Sequence, residues 1–178
     1  MKWAKVLNKD IAIRPIRIEG DVAYVPLTQG YEAVIDAVDI PLVAGFGWFA
    51  IVNGRTVYAA RNVSLASGKR RMMGMHRMLM GDPTGVQIDH RDGNGLNNRK
   101  TNIRIATPAQ NQHNQRRRRD NTSGLKGVTW HKASAKWQAR VWSGGKRIYL
   151  GLFDTPEAAH DMYAEAVCRF HGEFGRLA

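Results

Sequence analysis

Four polar residues, Asp89, His90, Asn102 and Asn111, have side chains that could together perform a hydrolysis. A carboxylate and an amide oxygen suit a hard divalent cation such as Mg²⁺. A histidine with an ordinary pKa can accept a proton from water near neutral pH. Its ring needs an orienting hydrogen bond from a nearby carbonyl or amide, which Asn102 could provide through the loop. The set therefore indicates metal-assisted hydrolysis of a phosphodiester.

A strand–loop–strand–helix unit is predicted to position these residues. A short strand over 86–88 ends at the Asp-His pair, 91–100 is polar and loop-like, and 103–106 alternates apolar and polar residues as a second strand would. Thr107-Pro108 then predicts a helix that starts with a cap and a proline and continues through Asn111. Neighbouring strand residues point to opposite faces, so Asp89 and His90 line one pocket only where their strand ends or twists.

Less specific interpretations stay open for single residues of this region. Asp92-Gly93-Asn94 alone is a good turn. It does not match a calcium-binding EF-hand loop, which needs acidic residues at alternate positions and a closing glutamate. His76 lies on an apolar segment of helical spacing, where a packing histidine and a phosphate contact are equally plausible. His113 is a weaker ligand candidate than Asn111.

The positive charge of the chain is concentrated in one window. The 178 residues carry a formal charge of +12. Residues 112–150 contain ten Lys/Arg and one Asp, a net +9, and include the run Arg116, Arg117, Arg118 and Arg119. A charge run is often only a solvated surface, but this concentration favours a nucleic-acid partner.

Composition limits the classes of protein. With 43% hydrophobic residues the chain can bury a core. Its single cysteine, Cys168, excludes an internal disulfide and a multi-thiolate zinc site, and it fits a reducing cytosol. The first five residues lack the apolar stretch of a signal peptide, and no run of about 18 apolar residues predicts a membrane span.

The flanking segments differ in their predicted elements. Short strands are predicted over 22–27, 31–35 and 56–61, with a short helix near Asp39 and a helical segment over 75–80. After residue 122, strands are predicted over 128–130, 136–142 and 146–150. A helix follows, opening at Thr155-Pro156 and ending at Gly172.

The Asp89-His90 pair, the loop Asp92-Gly93-Asn94 with Asn97-Asn98, and the spacing to Asn102 and Asn111 resemble the HNH endonuclease family of the ββα-metal fold. Phage homing endonucleases are the most similar members. The resemblance implies that Asp89 and Asn111 bind the metal, that His90 is the general base, and that Asn102 holds the loop and His90. Many HNH proteins have histidine at the position of Asn111, and the phage subfamily accepts asparagine there.

A second motif set begins at Ser123-Gly124-Leu125-Lys126-Gly127-Val128 and continues through 136–141 and 151–159. It resembles the Apetala/ethylene-response-factor DNA-binding domain over about residues 121–175. The resemblance implies a three-stranded sheet in the major groove. The matching positions are Lys126, Thr129, His131, Arg140, Trp142, Arg147 and Tyr149. Several arginines of the plant domains are replaced here, so base specificity does not transfer.

Together these observations predict an α+β protein. The predicted segments are a β-rich part (1–75), an HNH ββα-metal core (76–114), a basic linker (115–122) and a sheet-based DNA-binding domain (123–178), in which three antiparallel strands pack on one helix. The predicted function is metal-dependent cleavage of double-stranded DNA by a phage or mobile-element enzyme, with Mg²⁺ or alternatively Mn²⁺. We expect a cytoplasmic monomer in a bacterial host, with no membrane and no obligatory protein partner. The alternatives are a DNA-binding regulator with an inactive core and an RNA-processing enzyme.

Overall fold

A computed structural model of the protein describes residues 11–177. The signal-peptide prediction concerns residues outside this range. The chain divides into two compact units, the first ending at Ile105 and the second beginning at Ala106. Both combine short helices with small antiparallel sheets, so the predicted α+β class is confirmed. None of the helices in the described range is long and apolar enough to cross a lipid bilayer.

The elements follow one another closely along the chain. Up to the unit boundary they are β1 (Arg17–Glu19), β2 (Val22–Pro26), β3 (Glu32–Asp36), α1 (Ile40–Val43), β4 (Phe49–Asn53), β5 (Thr56–Ser64), β6 (Arg70–Gly74), α2 (Met75–Leu79), β7 (Gln87–His90) and β8 (Ile103–Ala106). After it come α3 (Pro108–His113), β9 (Val128–His131), β10 (Lys136–Ser143), β11 (Lys146–Phe153) and α4 (Pro156–His171).

The first unit contains two three-stranded sheets, β1-β2-β3 and β4-β5-β6, and the pair β7-β8. Alternation along β2 and β3 buries Ala23, Val25, Ala33 and Ile35. These residues face one another across the two strands in antiparallel register. They belong to a hydrophobic core that also includes side chains from α2, β7 and β8. Residues before and after position 75 therefore share one core.

The loop between β7 and β8 is attached to β3. The backbone N–H of Asn98 donates to the Val34 carbonyl (2.7 Å), and the Val34 N–H donates to the Leu96 carbonyl (2.8 Å). The Arg99 guanidinium donates to the carboxylates of Asp36 (2.7 Å) and Asp21 (2.6 Å). The N-terminal strands thus support the loop that follows the Asp-His pair.

The second unit is built on the sheet β9-β10-β11, with α4 packed against it. Val141 on β10 contacts a cluster formed by Tyr163, Ala166 and Val167 of α4. Thr155 caps this helix by accepting a hydrogen bond from the Ala158 N–H (3.2 Å). The predicted three-stranded sheet with one amphipathic helix is confirmed.

Gly127 is required where the chain enters this sheet. Its φ is +79°, a conformation that favours glycine. A Cβ at this position would lie 2.0 Å from the Tyr163 ring. Any side chain here would therefore collide with the core of the second unit.

Most predicted elements agree with the structure to within a few residues, but three strands were not predicted. These are β1, β4 and β6. The sequence of β6, Arg-Arg-Met-Met-Gly, has no β-branched or aromatic residue, and the strand forms by pairing with β5. Here the tertiary context outweighs intrinsic β propensity.

Candidate active site

The Asp-His pair lies at the carboxyl end of β7, where the strand ends at His90 as predicted. Asp89 is 4% exposed and His90 is 5% exposed. Ile88 is buried as well, so the alternation of exposed and buried residues is lost over these three positions. Two titratable groups are therefore held side by side, away from bulk water.

Asp89 forms a buried ion pair with Arg104 of β8. Nε and a terminal nitrogen of the guanidinium lie 2.9 Å and 2.8 Å from Oδ2 of Asp89. Arg104 is only 7% exposed, whereas its neighbour Ile105 is 52% exposed. The polar residue of β8 thus points inward, because it balances the buried carboxylate. Sequence reasoning did not identify Arg104 as a site residue.

His90 is oriented by Asn98, a side chain that is completely buried. Nε2 of His90 lies 3.3 Å from Oδ1 of Asn98. The Asn98 Nδ2 donates to the Leu96 carbonyl (3.0 Å), which turns Oδ1 toward the histidine. An amide oxygen can only accept, so this contact favours a proton on Nε2. Burial lowers the pKa of His90, against the opposing effects of Asn98, Asp92 and Asp89, and this favours the neutral ring.

Asn102 holds the loop, but the orienting hydrogen bond to His90 that we expected from it is made by Asn98. The Asn102 amide donates to the Asn97 carbonyl (2.7 Å) and to Oδ1 of Asp92 (3.0 Å). Its own Oδ1 accepts from the Asp92 N–H (3.1 Å). The difference arises because the side-chain groups of Asn102 already form hydrogen bonds within the loop, whereas the Asn98 side chain reaches the imidazole.

Asp92 is the central acceptor of this loop. Burial would raise the pKa of Asp92, but hydrogen bonds from the Asn94 N–H and from the amides of Asn97 and Asn102 lower it below the ordinary value. The carboxylate is therefore ionised at neutral pH, and it holds the loop through several donors at once.

His76 and Tyr58 surround the His90 ring. The centroid of His90 lies 5.2 Å from that of His76, in an edge arrangement, and 5.9 Å from that of Tyr58. Burial, together with the nearby His90 and Arg77, lowers the pKa of His76 to about 4. The ring is therefore mainly neutral at neutral pH, and its edge contact with the His90 ring favours the packing interpretation of His76.

The donor set at the end of β7 fits a hard cation with few protein ligands. Among the described residues, no three His, Cys, Asp or Glu side chains are grouped as a metal site. Asp89 provides one buried carboxylate, and the Arg104 guanidinium contacts its Oδ2 atom. Mg²⁺ commonly binds one or two protein oxygens and keeps several waters. The second predicted ligand, Asn111, lies on α3 in the second unit, and its role as a ligand stays a prediction.

The residues predicted to contact DNA lie in the second unit, mostly on its surface. Arg140, Trp142, Arg147 and Tyr149 are exposed on β10 and β11, while Ala139 and Val141 are buried. Arg140 pairs with Tyr149, and Trp142 with Arg147, across the two strands. Thr129 and the run of Arg116, Arg117, Arg118 and Arg119 are also exposed, and His131 is half-buried.

Lys126 differs from the other predicted DNA contacts. Its ammonium donates to the backbone carbonyls of His113 (3.0 Å), Gln115 (2.6 Å) and Arg176 (2.9 Å). Burial lowers the pKa of Lys126 to about 8, which leaves it mainly protonated at neutral pH. An ammonium has three N–H donors, and three carbonyls receive them. This geometry favours a structural role for Lys126.

Comparisons with known proteins identify the region that contains the Asp-His pair. The family profile of HNH endonucleases matches residues 81–113. The chain is 31% identical over 153 residues to an uncharacterized HNH endonuclease, L560, of Acanthamoeba polyphaga mimivirus, covering 82% of this chain and 74% of that protein. It is 38% identical over 95 residues to protein 3.8 of Escherichia phage T7, covering 53% of this chain and 78% of that protein.

A shorter match involves plant proteins. APETALA2-like protein 2 of Oryza sativa subsp. indica is 39% identical over 54 residues, which is 30% of this chain and 12% of the plant protein. This similarity covers one short stretch of a much longer protein. No solved structure matches the chain.

Proposed function

Since the chain belongs to the HNH endonuclease family, we propose that it is a phage or mobile-element enzyme of the homing type that hydrolyses phosphodiester bonds in double-stranded DNA. The observation that carries the proposal is the buried pair Asp89-His90, with the proton of His90 held on Nε2 by Asn98. In this arrangement His90 would act as a neutral imidazole that accepts a proton at Nδ1, as a general base requires.

His90 would take a proton from the attacking water at Nδ1. Its Nε2–H would remain on the Asn98 oxygen, which holds the ring while Nδ1 becomes protonated. A positive charge on the ring would be stabilised by the nearby carboxylates of Asp92 and Asp89, which raise the pKa of His90 against its burial. Asn98 would therefore orient the ring before and after proton transfer, and the two carboxylates would stabilise its protonated form.

Asp89 and Asn111 are the proposed ligands of a divalent cation, most simply Mg²⁺ with Mn²⁺ as the alternative. When bound, the cation would supply positive charge for the phosphate and the leaving oxygen. The buried Asp89 carboxylate supports its part of this assignment, whereas that of Asn111 follows from the family resemblance. Asn102 would keep the loop closed around Asp92.

DNA binding is assigned mainly to the second unit. Residues 112–150 hold ten basic residues and one acidic residue. The similarity to a plant APETALA2-like protein and the exposed side chains of β10 and β11 support an Apetala-type DNA reader in this unit. In this division the second unit would supply most of the affinity for DNA, and the first would supply the general base.

Plasmid nicking tests this proposal. The full-length protein should nick supercoiled DNA with Mg²⁺ and not in EDTA. His90→Ala should lower the rate by roughly 10²–10⁴-fold, because it removes the general base. The same variant should bind labelled duplex DNA in EDTA as tightly as wild type does, which controls for folding.

Two outcomes favour the alternatives. Wild-type protein that binds duplex DNA but never nicks it, on plasmids or on phage genomic DNA, supports a regulator with an inactive core. Faster cleavage of structured RNA than of duplex DNA supports RNA processing. Equal nicking by wild type and His90→Ala would overturn the assignment of the base.

A further inference from the structure

The segment 115–121, which we call the arginine arm, is attached to the second unit at its first residue. Lys126 donates to the carbonyls of Gln115 and of His113, just before the arm. A third hydrogen bond from the same ammonium reaches the Arg176 carbonyl near the end of the chain. One half-buried ammonium thereby attaches the start of the arm to the residues near Lys126 and near Arg176.

The far end of the arm is attached as well. The Asn121 amide donates to the Leu125 carbonyl (2.9 Å). The Ser123 hydroxyl lies within hydrogen-bond distance of Oδ1 of Asn121 (3.1 Å) and of the Val128 carbonyl (2.9 Å) at the start of β9. The arm is therefore fixed at both ends, unlike the free tether that its composition suggests.

The arm and the exposed face of β10–β11 enclose a cleft of about 510 Å³. Its lining includes three arginines of the arm and three side chains of the sheet, namely Arg116, Arg117 and Arg118, and Arg140, Trp142 and Arg147. The one carboxylate in this lining, Asp120, lies 3.1 Å from Arg118. Arg119, the fourth arginine of the run, is not part of the lining.

We propose that this cleft is one binding site for the phosphodiester backbone of a DNA strand, which would lie between the arm and the sheet. The inference rests on the proposed DNA-cleaving function and specifies how the second unit holds its substrate. Five guanidinium groups around one concave surface match a chain of phosphates, because arginine presents paired donors to phosphate oxygens. Trp142, with the Arg147 guanidinium 5.8 Å from its ring, offers an aromatic surface to the sugars.

A built cleft and a flexible tether predict different results. On a tether all four arginines are equivalent, and each adds its attraction independently of the sheet. In a cleft, arginines of the arm contribute only when the sheet holds the same strand. Arg117 and Arg147 should therefore be coupled, whereas Arg119 should not be coupled to either.

Duplex binding by the full-length protein in EDTA tests this difference without depending on cleavage. We would measure the affinity for a labelled random-sequence duplex from low to moderate salt. Arg117→Ala and Arg147→Ala should each flatten the slope of log affinity against log salt by about 0.9, the value for one phosphate contact. The double variant should lose clearly less affinity than the product of the single losses. Arg119→Ala, the matched control, should lower the affinity less. In the double variant with Arg147→Ala, the fold losses of the two single variants should multiply.

The proposed site would be overturned if Arg117→Ala and Arg119→Ala lowered the affinity equally. In that outcome the fold loss of each would also multiply with that of Arg147→Ala. Preferential displacement by structured RNA over duplex DNA would overturn the choice of ligand. The cleft and the nuclease activity can be rejected independently of each other. Nicking that survives with no coupling rejects the cleft alone, and coupling without nicking rejects the enzyme alone.

A second variant tests the attachment itself. Lys126→Met should release the start of the arm, so trypsin should cut within 115–121 faster than in wild type. The coupling between Arg117 and Arg147 should disappear, while thermal unfolding confirms that the domain remains folded. Unchanged proteolysis together with unchanged coupling would show that Lys126 does not hold the arm.

Discussion

The two units use their charges in opposite ways. In the first, cations are matched to carboxylates inside or beside the core, as in Arg104 with Asp89 and Lys100 with Asp39. In the second, ten basic residues of 112–150 accompany a single acidic one. Matched buried charges hold a fixed geometry, whereas excess surface charge attracts a polyanion over a distance that depends on salt.

In the proposed function, this difference separates cleavage from DNA affinity. A general base, the proposed role of His90, needs a fixed orientation, and in the first unit a buried hydrogen bond with Asn98 orients the ring. Backbone binding needs density of positive charge more than a single geometry. Substitutions around His90 should therefore change stability or turnover, and those of the basic residues in 112–150 should change affinity and its salt dependence.

The largest expected effect is that of Arg104→Ala. It removes the guanidinium that balances the buried Asp89 carboxylate, and breaking such a pair costs about 3–5 kcal/mol of stability. Urea unfolding in EDTA measures the loss. Because a cation at Asp89 would replace part of the missing charge, Mg²⁺ should raise the melting temperature of this variant more than that of wild type. An equal Mg²⁺ effect on both proteins would argue against a metal at Asp89.

Asn98→Ala is expected to act on turnover. It removes the acceptor for the His90 Nε2–H, and loss of such a supporting hydrogen bond typically lowers activity by about 10- to 100-fold. The KM for DNA should stay near wild type, since we assign DNA affinity mainly to the second unit. Ring ¹⁵N NMR of His90 should show the Nε2–H tautomer in wild type and a mixture in the variant. Asn98→Asp keeps an acceptor and should restore the tautomer. A wild-type turnover number for Asn98→Ala would remove Asn98 from the mechanism.

Sequence reasoning performed best where the signal is local. The caps Thr107-Pro108 and Thr155-Pro156 mark the starts of α3 and α4 within a few residues, and both cap hydrogen bonds are present. The end of β7 at His90 also follows from its short apolar run and the polar loop after it. These features depend on neighbours in the chain, which the sequence displays directly.

Arg104 and Asn98 were missed because their roles depend on partners distant in sequence. Arg104 looks like the solvent-facing residue of an alternating strand until β8 pairs with β7 and brings it to Asp89. Asn98 looks like one of several loop asparagines until its N–H binds Val34 on β3 and buries the side chain. The Asn97-Asn98 pair in the motif was the only local signal, and it does not tell which residue reaches His90.

Asp36→Asn should lower the free energy of unfolding by about 2 kcal/mol. The reason is that Asp36 accepts charge-assisted hydrogen bonds from Arg99 and from the Lys100 N–H, which support the loop of the site. Burial would raise the pKa of Asp36, but these hydrogen bonds and the charges of Arg99 and Lys100 lower it. A carboxylate whose folded pKa is lowered contributes stability above its unfolded pKa of about 3.9, and loses it as the pH falls through the folded value. Chemical unfolding should therefore separate wild type from Asp36→Asn at pH 7, and the difference should shrink below about pH 4. A constant difference down to pH 2 would contradict the ionic origin.

The smallest expected effect is that of Arg140→Ala, which should weaken duplex binding by about 1 kcal/mol or less at moderate salt and flatten the salt dependence by about 0.9. Arg140 is an exposed residue of β10 and has no part in the core, so the melting temperature should stay unchanged. The affinity for Mg²⁺, followed by calorimetry in the absence of DNA, should also match wild type, because Arg140 lies on β10 and is not one of the two proposed ligands, Asp89 and Asn111. A loss of Mg²⁺ binding in Arg140→Ala would contradict the proposed ligand set and the separation of cleavage from DNA affinity, since an exposed arginine of the sheet β9-β10-β11 would then be influencing the metal.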